Sequence, residues 1–64
     1  MKPRNQAILA LNENGYVFKR SGKKHDIYYN QEAGSMIPLK RHDFNENDLN
    51  YILTEIKHNR RAGS

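Results

Sequence analysis

Cysteine is absent from this chain of 64 residues. No disulfide and no thiolate-bound metal can therefore stabilise its fold, which fits a reducing compartment. No apolar run approaches the roughly 20 residues that a membrane-spanning helix needs. The apolar run over residues 7–11 is also too short for the core of a signal peptide. We therefore expect a soluble, cytoplasmic protein that does not bind membranes.

The chain is too short for more than one domain. A domain of this size buries only about 60% of its unfolded surface, so its core is thin. The mean hydropathy is low, at -1.03, but apolar residues recur at regular spacing, so we reject disorder for residues 5–57. We find no internal repeat. We predict one domain over residues 1–58 and a polar C-terminal tail over residues 59–64.

Lysine and arginine outnumber aspartate and glutamate, and the formal net charge is +4. The isoelectric point is about 9.6. A positive surplus indicates an anionic partner, which can be a nucleic acid, an acidic protein or an anionic membrane. The membrane is the least favoured, because no predicted helix has a basic face opposite an aromatic apolar face.

Two amphipathic segments predict helices. The first covers residues 3–14, with Ile8 and Leu11 on one apolar strip, and it ends at Gly15, which can take positive φ. The second begins after Asn45, which forms a capping-box pattern with Asp48. Its apolar side chains have the i, i+3, i+4, i+7 spacing of a helix face and are Leu49, Ile52, Leu53 and Ile56.

Three short strands are predicted between the helices, over residues 16–20, 24–30 and 35–39. Alternation along the second strand places His25, Ile27 and Tyr29 on one face, and Asp26 and Tyr28 on the other. Pro38 cannot donate a hydrogen bond to a neighbouring strand, so the third strand should be an edge or end there.

The predicted fold is α+β, with the order α-β-β-β-α. Strands joined by short loops pair antiparallel. A sheet this small must be covered on one face, and the two helices are the elements that can cover it. We therefore expect a three-stranded antiparallel sheet with both helices on one face and the other face open to solvent.

The loop between the first two strands concentrates charge. Four cations lie within residues 19–24, and His25 follows them directly. An imidazole titrates near pH 6.5 and can exchange a proton at neutral pH. RNA carries a 2'-hydroxyl beside each phosphate, and a base that deprotonates it starts chain cleavage to a cyclic phosphate. Lys23, Lys24 and Arg20 would hold the negative charge that develops on phosphorus.

The same residues also fit plain binding. Arg20, Lys23, Lys24, Lys40 and Arg41 can bind phosphate without any catalysis. Tyr28 is the tyrosine that we expect to face solvent and stack on a base. The less specific interpretation of the loop is a solvated basic turn with an ordinary surface histidine.

The sequence gives weaker support to a functional role for the other two histidines and to a metal site. His42 follows the third strand and is more typical of a solvent-facing or helix-capping group, and we give His58 no role. There is no His-Glu-x-x-His pattern and no paired carboxylate spacing. We predict no metal and no cofactor.

Together these residues resemble a known family. Its features are a first helix, Gly15-Tyr16, Arg20 with a histidine five residues on, and Ile27-Tyr28. They continue with Ile37-Pro38, Arg41-His42, Leu49 and Ile52-Leu53. The order and spacing, over about residues 2–57, resemble the HicA toxins of bacterial and archaeal toxin–antitoxin pairs. The chain departs from the family at Lys23-Lys24, where Gly-Ser is usual. That change either alters the loop geometry or adds charge that binds phosphate.

The resemblance implies a fold like that of double-stranded-RNA-binding domains. It also implies an mRNA endonuclease with one catalytic histidine, here His25. Such a protein is the toxin of a type II pair in the bacterial stress response, neutralised by a HicB-like antitoxin, and we expect it to be monomeric on its own. The alternatives are a non-catalytic RNA- or DNA-binding module and a small domain whose basic face docks an acidic protein.

Overall fold

The computed structural model describes the backbone of residues 1–62 and the side chains of residues 1–60. Its elements are α1 (Pro3–Glu13), β1 (Val17–Ser21), β2 (His25–Asn30), β3 (Ser35–Lys40) and α2 (Glu46–Ala62). The strands form one antiparallel sheet in the order β1-β2-β3. The predicted α+β class and the α-β-β-β-α order are confirmed.

Both helices cover the same face of the sheet. The core joins the helix side chains Ala7, Leu11, Ile52 and Ile56 to Tyr28, Ile37 and Leu39 of the sheet and to Tyr16, which precedes β1. The apolar spacing of α2 predicted this burial only in part. Ile52 and Ile56 are buried, but Leu53 is 43% exposed.

The helix ends follow the predicted chemistry. Gly15 has a φ of 87°, the left-handed conformation that a residue without a Cβ adopts readily at a helix end. At the start of α2, the Asn45 side chain accepts hydrogen bonds from the backbone N–H of Asn47 (2.9 Å) and Asp48 (3.2 Å). The Asp48 carboxylate accepts one from the Asn45 N–H at 2.9 Å. The capping box is therefore confirmed.

The predicted boundary at residue 58 does not coincide with the end of α2, which continues to Ala62. Asn59 donates a hydrogen bond to the Tyr16 hydroxyl at 3.0 Å, and Arg60 donates one to the Asn14 side chain. These contacts join the last turns of α2 to the segment between α1 and β1. Residues 63 and 64 of the predicted tail lie outside the described residues.

The sheet register determines which side chains share the open face. Residues of β2 and β3 pair one to one, with His25 opposite Lys40, Ile27 opposite Pro38 and Tyr29 opposite Met36. The pairing of β1 with β2 shifts at Lys19, which lies in a bulge between Phe18 and Arg20. The bulge returns Arg20 to the same face as Ile27. No helix in residues 1–62 is both long and apolar enough to cross a bilayer.

Candidate nucleic-acid interface and catalytic site

His25 is the first residue of β2, and its side chain is exposed. Its neighbours along the strand alternate faces, so it belongs to the open face with Ile27 and Tyr29. Its cross-strand partner is Lys40 of β3. We call residues 19–24, which carry four cations, the basic loop. The imidazole is therefore at the open face, where the basic loop joins the sheet, and is accessible from solvent.

A hollow of about 480 Å³ opens beside this histidine. Its lining side chains include the cations Arg20, Lys23 and Lys24 together with His25, Ile27 and Pro38. We call it the basic hollow. The three cations are exposed, and among the described side chains no carboxylate forms an ion pair with them. An anion in the basic hollow would meet this positive charge and the imidazole together.

Arg41 shapes the loop that carries these cations. Its guanidinium donates hydrogen bonds to the backbone carbonyls of Lys23 (2.5 Å) and His25 (3.3 Å). Its backbone N–H donates to the carbonyl of Lys24 at 3.4 Å. Three consecutive carbonyl groups thus point to Arg41, while the side chains of the same residues are exposed. The predicted phosphate contact by Arg41 stays a prediction: both of its Nη atoms donate within the fold, while its side chain remains 28% exposed.

The glycine of the loop allows a tight turn. The N–H of Gly22 donates to the carbonyl of His25 at 2.7 Å. A Cβ at this position would lie 3.0 Å from that same carbonyl oxygen, closer than ordinary van der Waals contact. A side chain at position 22 would therefore push the turn away from the start of β2.

Asp26 lies next to His25 in sequence but on the face that the helices cover. Its carboxylate accepts hydrogen bonds from Arg41 (2.9 Å), Arg4 (2.8 Å) and Ser21 (3.1 Å). The hydrogen bond from Arg41 is the largest influence and lowers the pKa of Asp26, and Ser21 and Arg4 act in the same direction against desolvation. The side chain is 15% exposed, so this Arg4–Asp26–Arg41 cluster is partly shielded from water.

Arg4 extends the cluster to α1 and β3. In addition to its ion pair with Asp26, its Nε donates to the carbonyl of Lys40 at 3.0 Å. One carboxylate therefore fixes the start of β2 against both α1 and the residue after β3. No sequence pattern indicates this cluster, because its three charged residues are far apart along the chain.

Lys40, a predicted phosphate ligand, already has partners for its side chain. Its Nζ donates to the carbonyl of Asp43 at 3.1 Å and lies 3.6 Å from the Asp48 carboxylate. The side chain remains 43% exposed. It lies on the open face opposite His25, where its charge adds to the positive potential around the imidazole.

The prediction that Tyr28 faces solvent is wrong. Tyr28 is 7% exposed and belongs to the core, where burial raises the pKa of its hydroxyl. The predicted alternation is correct, but the core lies on the opposite face from the one expected. Tyr29 is the tyrosine on the open face, and the Lys19 ammonium lies 4.6 Å from the centre of its ring.

Tyr51 of α2 is the tyrosine that is most exposed, at 56%. It lines a second hollow, of about 270 Å³, together with His25, Pro38, Lys40 and Phe44. The functional residues predicted from the sequence do not include Tyr51. The signal that could have drawn attention to it is a large aromatic ring on an otherwise polar helix face.

His42 and His58 are both exposed and line neither of the two hollows beside His25. A further hollow of about 200 Å³ lies at the other end of β2, among Asn14, Asn30, Glu32 and Arg60. It lacks the basic loop and any histidine. No group of three or more potential metal ligands is brought together within the described residues.

Comparisons of this chain with known protein families, with curated proteins and with solved structures find no match. The resemblance to the HicA family therefore remains a prediction from the residues that carry it.

Proposed function

We propose that this protein is a metal-independent endoribonuclease that cleaves mRNA and uses His25 for proton transfer. The observation that carries the proposal is the position of the imidazole: it is exposed, opens β2 and lines the basic hollow with Arg20, Lys23 and Lys24. A phosphate held by those cations would bring the adjacent ribose within reach of a group suited to general acid–base catalysis.

The reaction needs little from the protein beyond this arrangement. The imidazole takes the proton of the 2'-hydroxyl, the 2'-oxygen forms a bond to phosphorus, and the bond from phosphorus to the 5'-oxygen breaks. The departing oxygen takes a proton from solvent, and the imidazolium returns its proton to solvent. The cations stabilise the charge that accumulates on the phosphoryl oxygens. Within the described residues, His25 is the one histidine that lines the basic hollow, so we expect slow turnover.

End-group analysis tests this chemistry. The products should carry a 2',3'-cyclic phosphate and a 5'-hydroxyl, and cleavage should persist in EDTA. An RNA with a 2'-deoxy nucleotide at the cleaved position should resist cleavage at that position alone. Products with a 3'-hydroxyl and a 5'-phosphate would rule out attack by the 2'-oxygen and with it the role given to His25.

The biological part of the proposal is a cytoplasmic toxin of a type II pair, neutralised by a HicB-like antitoxin. It is supported by the resemblance over residues 2–57 and by an α-β-β-β-α fold in which the histidine opens β2. Induced expression should arrest growth, His25→Ala should not, and the product of an adjacent short reading frame should relieve the arrest. Full toxicity of His25→Ala would end this part of the proposal.

The second candidate is a non-catalytic RNA- or DNA-binding module. It is favoured by the composition of the basic hollow, in which cations outnumber groups that transfer protons near neutral pH. Under this alternative, His25→Ala binds and acts normally. Replacing both Lys23 and Lys24 with alanine weakens RNA binding under either candidate. The two candidates are therefore separated by RNA cleavage, which the binding module does not perform.

A further inference from the structure

Two hollows of different chemistry share His25 as a lining residue. One is the basic hollow with its three exposed cations. The other is the hollow lined by Tyr51, which we call the aromatic hollow. His25 and Pro38 line both, so a ligand that extends past the imidazole would occupy the two hollows with neighbouring groups.

The aromatic hollow suits a neutral, planar group. Tyr51 offers a ring that is 56% exposed, and Phe44, which packs against the core, also lines the hollow. Its two charged side chains, Lys40 and Asp48, lie 3.6 Å apart and offset each other. Its one lysine is thus paired with a carboxylate, whereas the three cations of the basic hollow form no ion pair with the described side chains.

The other tyrosines are less available for stacking. Tyr16 and Tyr28 are buried, and the Lys19 ammonium lies over the ring of Tyr29. Among the four tyrosines, Tyr51 is thus the one that combines high exposure with a place beside the imidazole.

We infer that the aromatic hollow binds one nucleobase of single-stranded RNA, the base next to the phosphate that the basic hollow holds. Tyr51 stacks on this base, and Lys40 and Asp48 offer a donor and an acceptor to its edge. Single-stranded RNA presents unstacked bases that aromatic side chains can take up. The inference rests on the proposed function for the place of the phosphate, and it makes Tyr51 a residue that binds the substrate by stacking, which any base permits.

An abasic scan combined with Tyr51 variants tests this inference. The probe is a 2'-O-methyl single strand of about eight nucleotides, which cannot be cleaved because it lacks the nucleophile, with the base removed at one position at a time. In the wild-type protein, one abasic position should weaken binding by about 5- to 150-fold, as expected for the removal of one stacked base. In Tyr51→Ala, that same position should have no further effect, because two changes that remove one interaction are not additive.

Two variants serve as controls. Tyr51→Phe keeps the ring and should retain the sensitivity of the wild type. Leu53→Ala removes an exposed apolar side chain of α2 that does not line the aromatic hollow, and it should also match the wild type. The scan of the wild-type protein depends on no variant, so a misfolded variant would leave it informative.

The outcomes distinguish this inference from the nuclease proposal. If no abasic position weakens binding, or if the effect persists unchanged in Tyr51→Ala, the base site is wrong, even where His25-dependent cleavage is observed. Unchanged RNA affinity in Tyr51→Ala would also overturn it and would leave the hollow to a protein partner. If the coupling is found but His25→Ala cleaves at the wild-type rate, the base site stands and the catalytic role fails.

Discussion

Arg41 contacts the backbone of the loop that carries Lys23, Lys24 and His25. It binds the carbonyls of the basic loop and the carboxylate of Asp26 at the same time. The loop cations and the imidazole are then presented from a fixed backbone. We therefore regard Arg41 as a positioning residue, in contrast to the exposed Lys23 and Lys24.

Arg41→Ala should lower the kcat of RNA cleavage by about 10- to 100-fold, the decrease expected when a catalytic group is misplaced by about 1 Å. KM should change less. Arg41→Lys should not restore the rate, because one ammonium cannot replace a guanidinium that reaches several acceptors at once. Steady-state kinetics check this, and a rise in KM with kcat unchanged would instead return Arg41 to the phosphate-binding role predicted from the sequence.

The Arg4–Asp26–Arg41 cluster makes stability depend on pH in the acid range. The pKa of Asp26 is lower in the folded protein than its ordinary value of 3.8. The stabilisation that its charge provides is thus complete above that value and is lost as the pH falls through the lower folded-state pKa. Asp26→Asn should cost about 1–3 kcal/mol in the free energy of unfolding at pH 7, and its stability should fall less on acidification. Urea unfolding of the wild type and of Asp26→Asn, measured at a series of pH values below 7, checks this. An equal fall in the free energy of unfolding of both proteins would contradict it.

Tyr28 and Tyr29 show where sequence reasoning reaches its limit for single residues. Alternation along β2 is fixed by strand geometry, so the division of side chains into two sets is predictable. The choice of the covered face depends on contacts made by Ile37, Leu39 and the helices, which are distant in sequence. An ion-pair cluster such as that of Asp26 is hidden for the same reason.

The elements themselves are more predictable than their ends. Apolar spacing locates both helices, and Gly15 and Asn45 mark the local chemistry that ends α1 and begins α2. The last turns of α2 escape prediction because their residues are polar. Hydrogen bonds to Tyr16 and Asn14 hold these turns in place. Such contacts between distant residues leave no pattern in the local sequence.

The start of α2 offers a direct test of local chemistry. Asn45→Ala removes the acceptor for two backbone N–H groups and should lower the free energy of unfolding by about 1 kcal/mol. For a domain of this size, that corresponds to a fall in Tm of about 4–8 °C. The control is Asn50→Ala, an exposed position within α2, where alanine should not lower Tm. Equal Tm values for wild type and Asn45→Ala would show that the cap contributes nothing.

Charge acts on the molecule as a whole and would govern the encounter with RNA that we propose. The net charge of +4 attracts any polyanion, but only cations that bind phosphates directly should set the salt dependence of binding. Lys23→Ala with Lys24→Ala reduces the net charge by two, as does the matched pair Lys2→Ala with Lys57→Ala, both exposed and away from the basic hollow.

The loop pair should weaken RNA binding and reduce the slope of log affinity against log salt by about 0.7 for each phosphate of a single strand that is no longer neutralised. The matched pair should leave the slope close to that of the wild type. Binding measured over a series of salt concentrations checks this. Equal slopes for the two double variants would mean that net charge, and not the basic hollow, holds the RNA.

Cleavage of one labelled single-stranded RNA in EDTA by the wild type, His25→Ala and His58→Ala tests the role of the exposed imidazole most directly. The wild type and His58→Ala should cleave, while the rate of His25→Ala should fall by at least about 100-fold, with its RNA affinity and unfolding midpoint unchanged. Cleavage by a well-folded His25→Ala at the wild-type rate would contradict the proposal that this histidine transfers the proton.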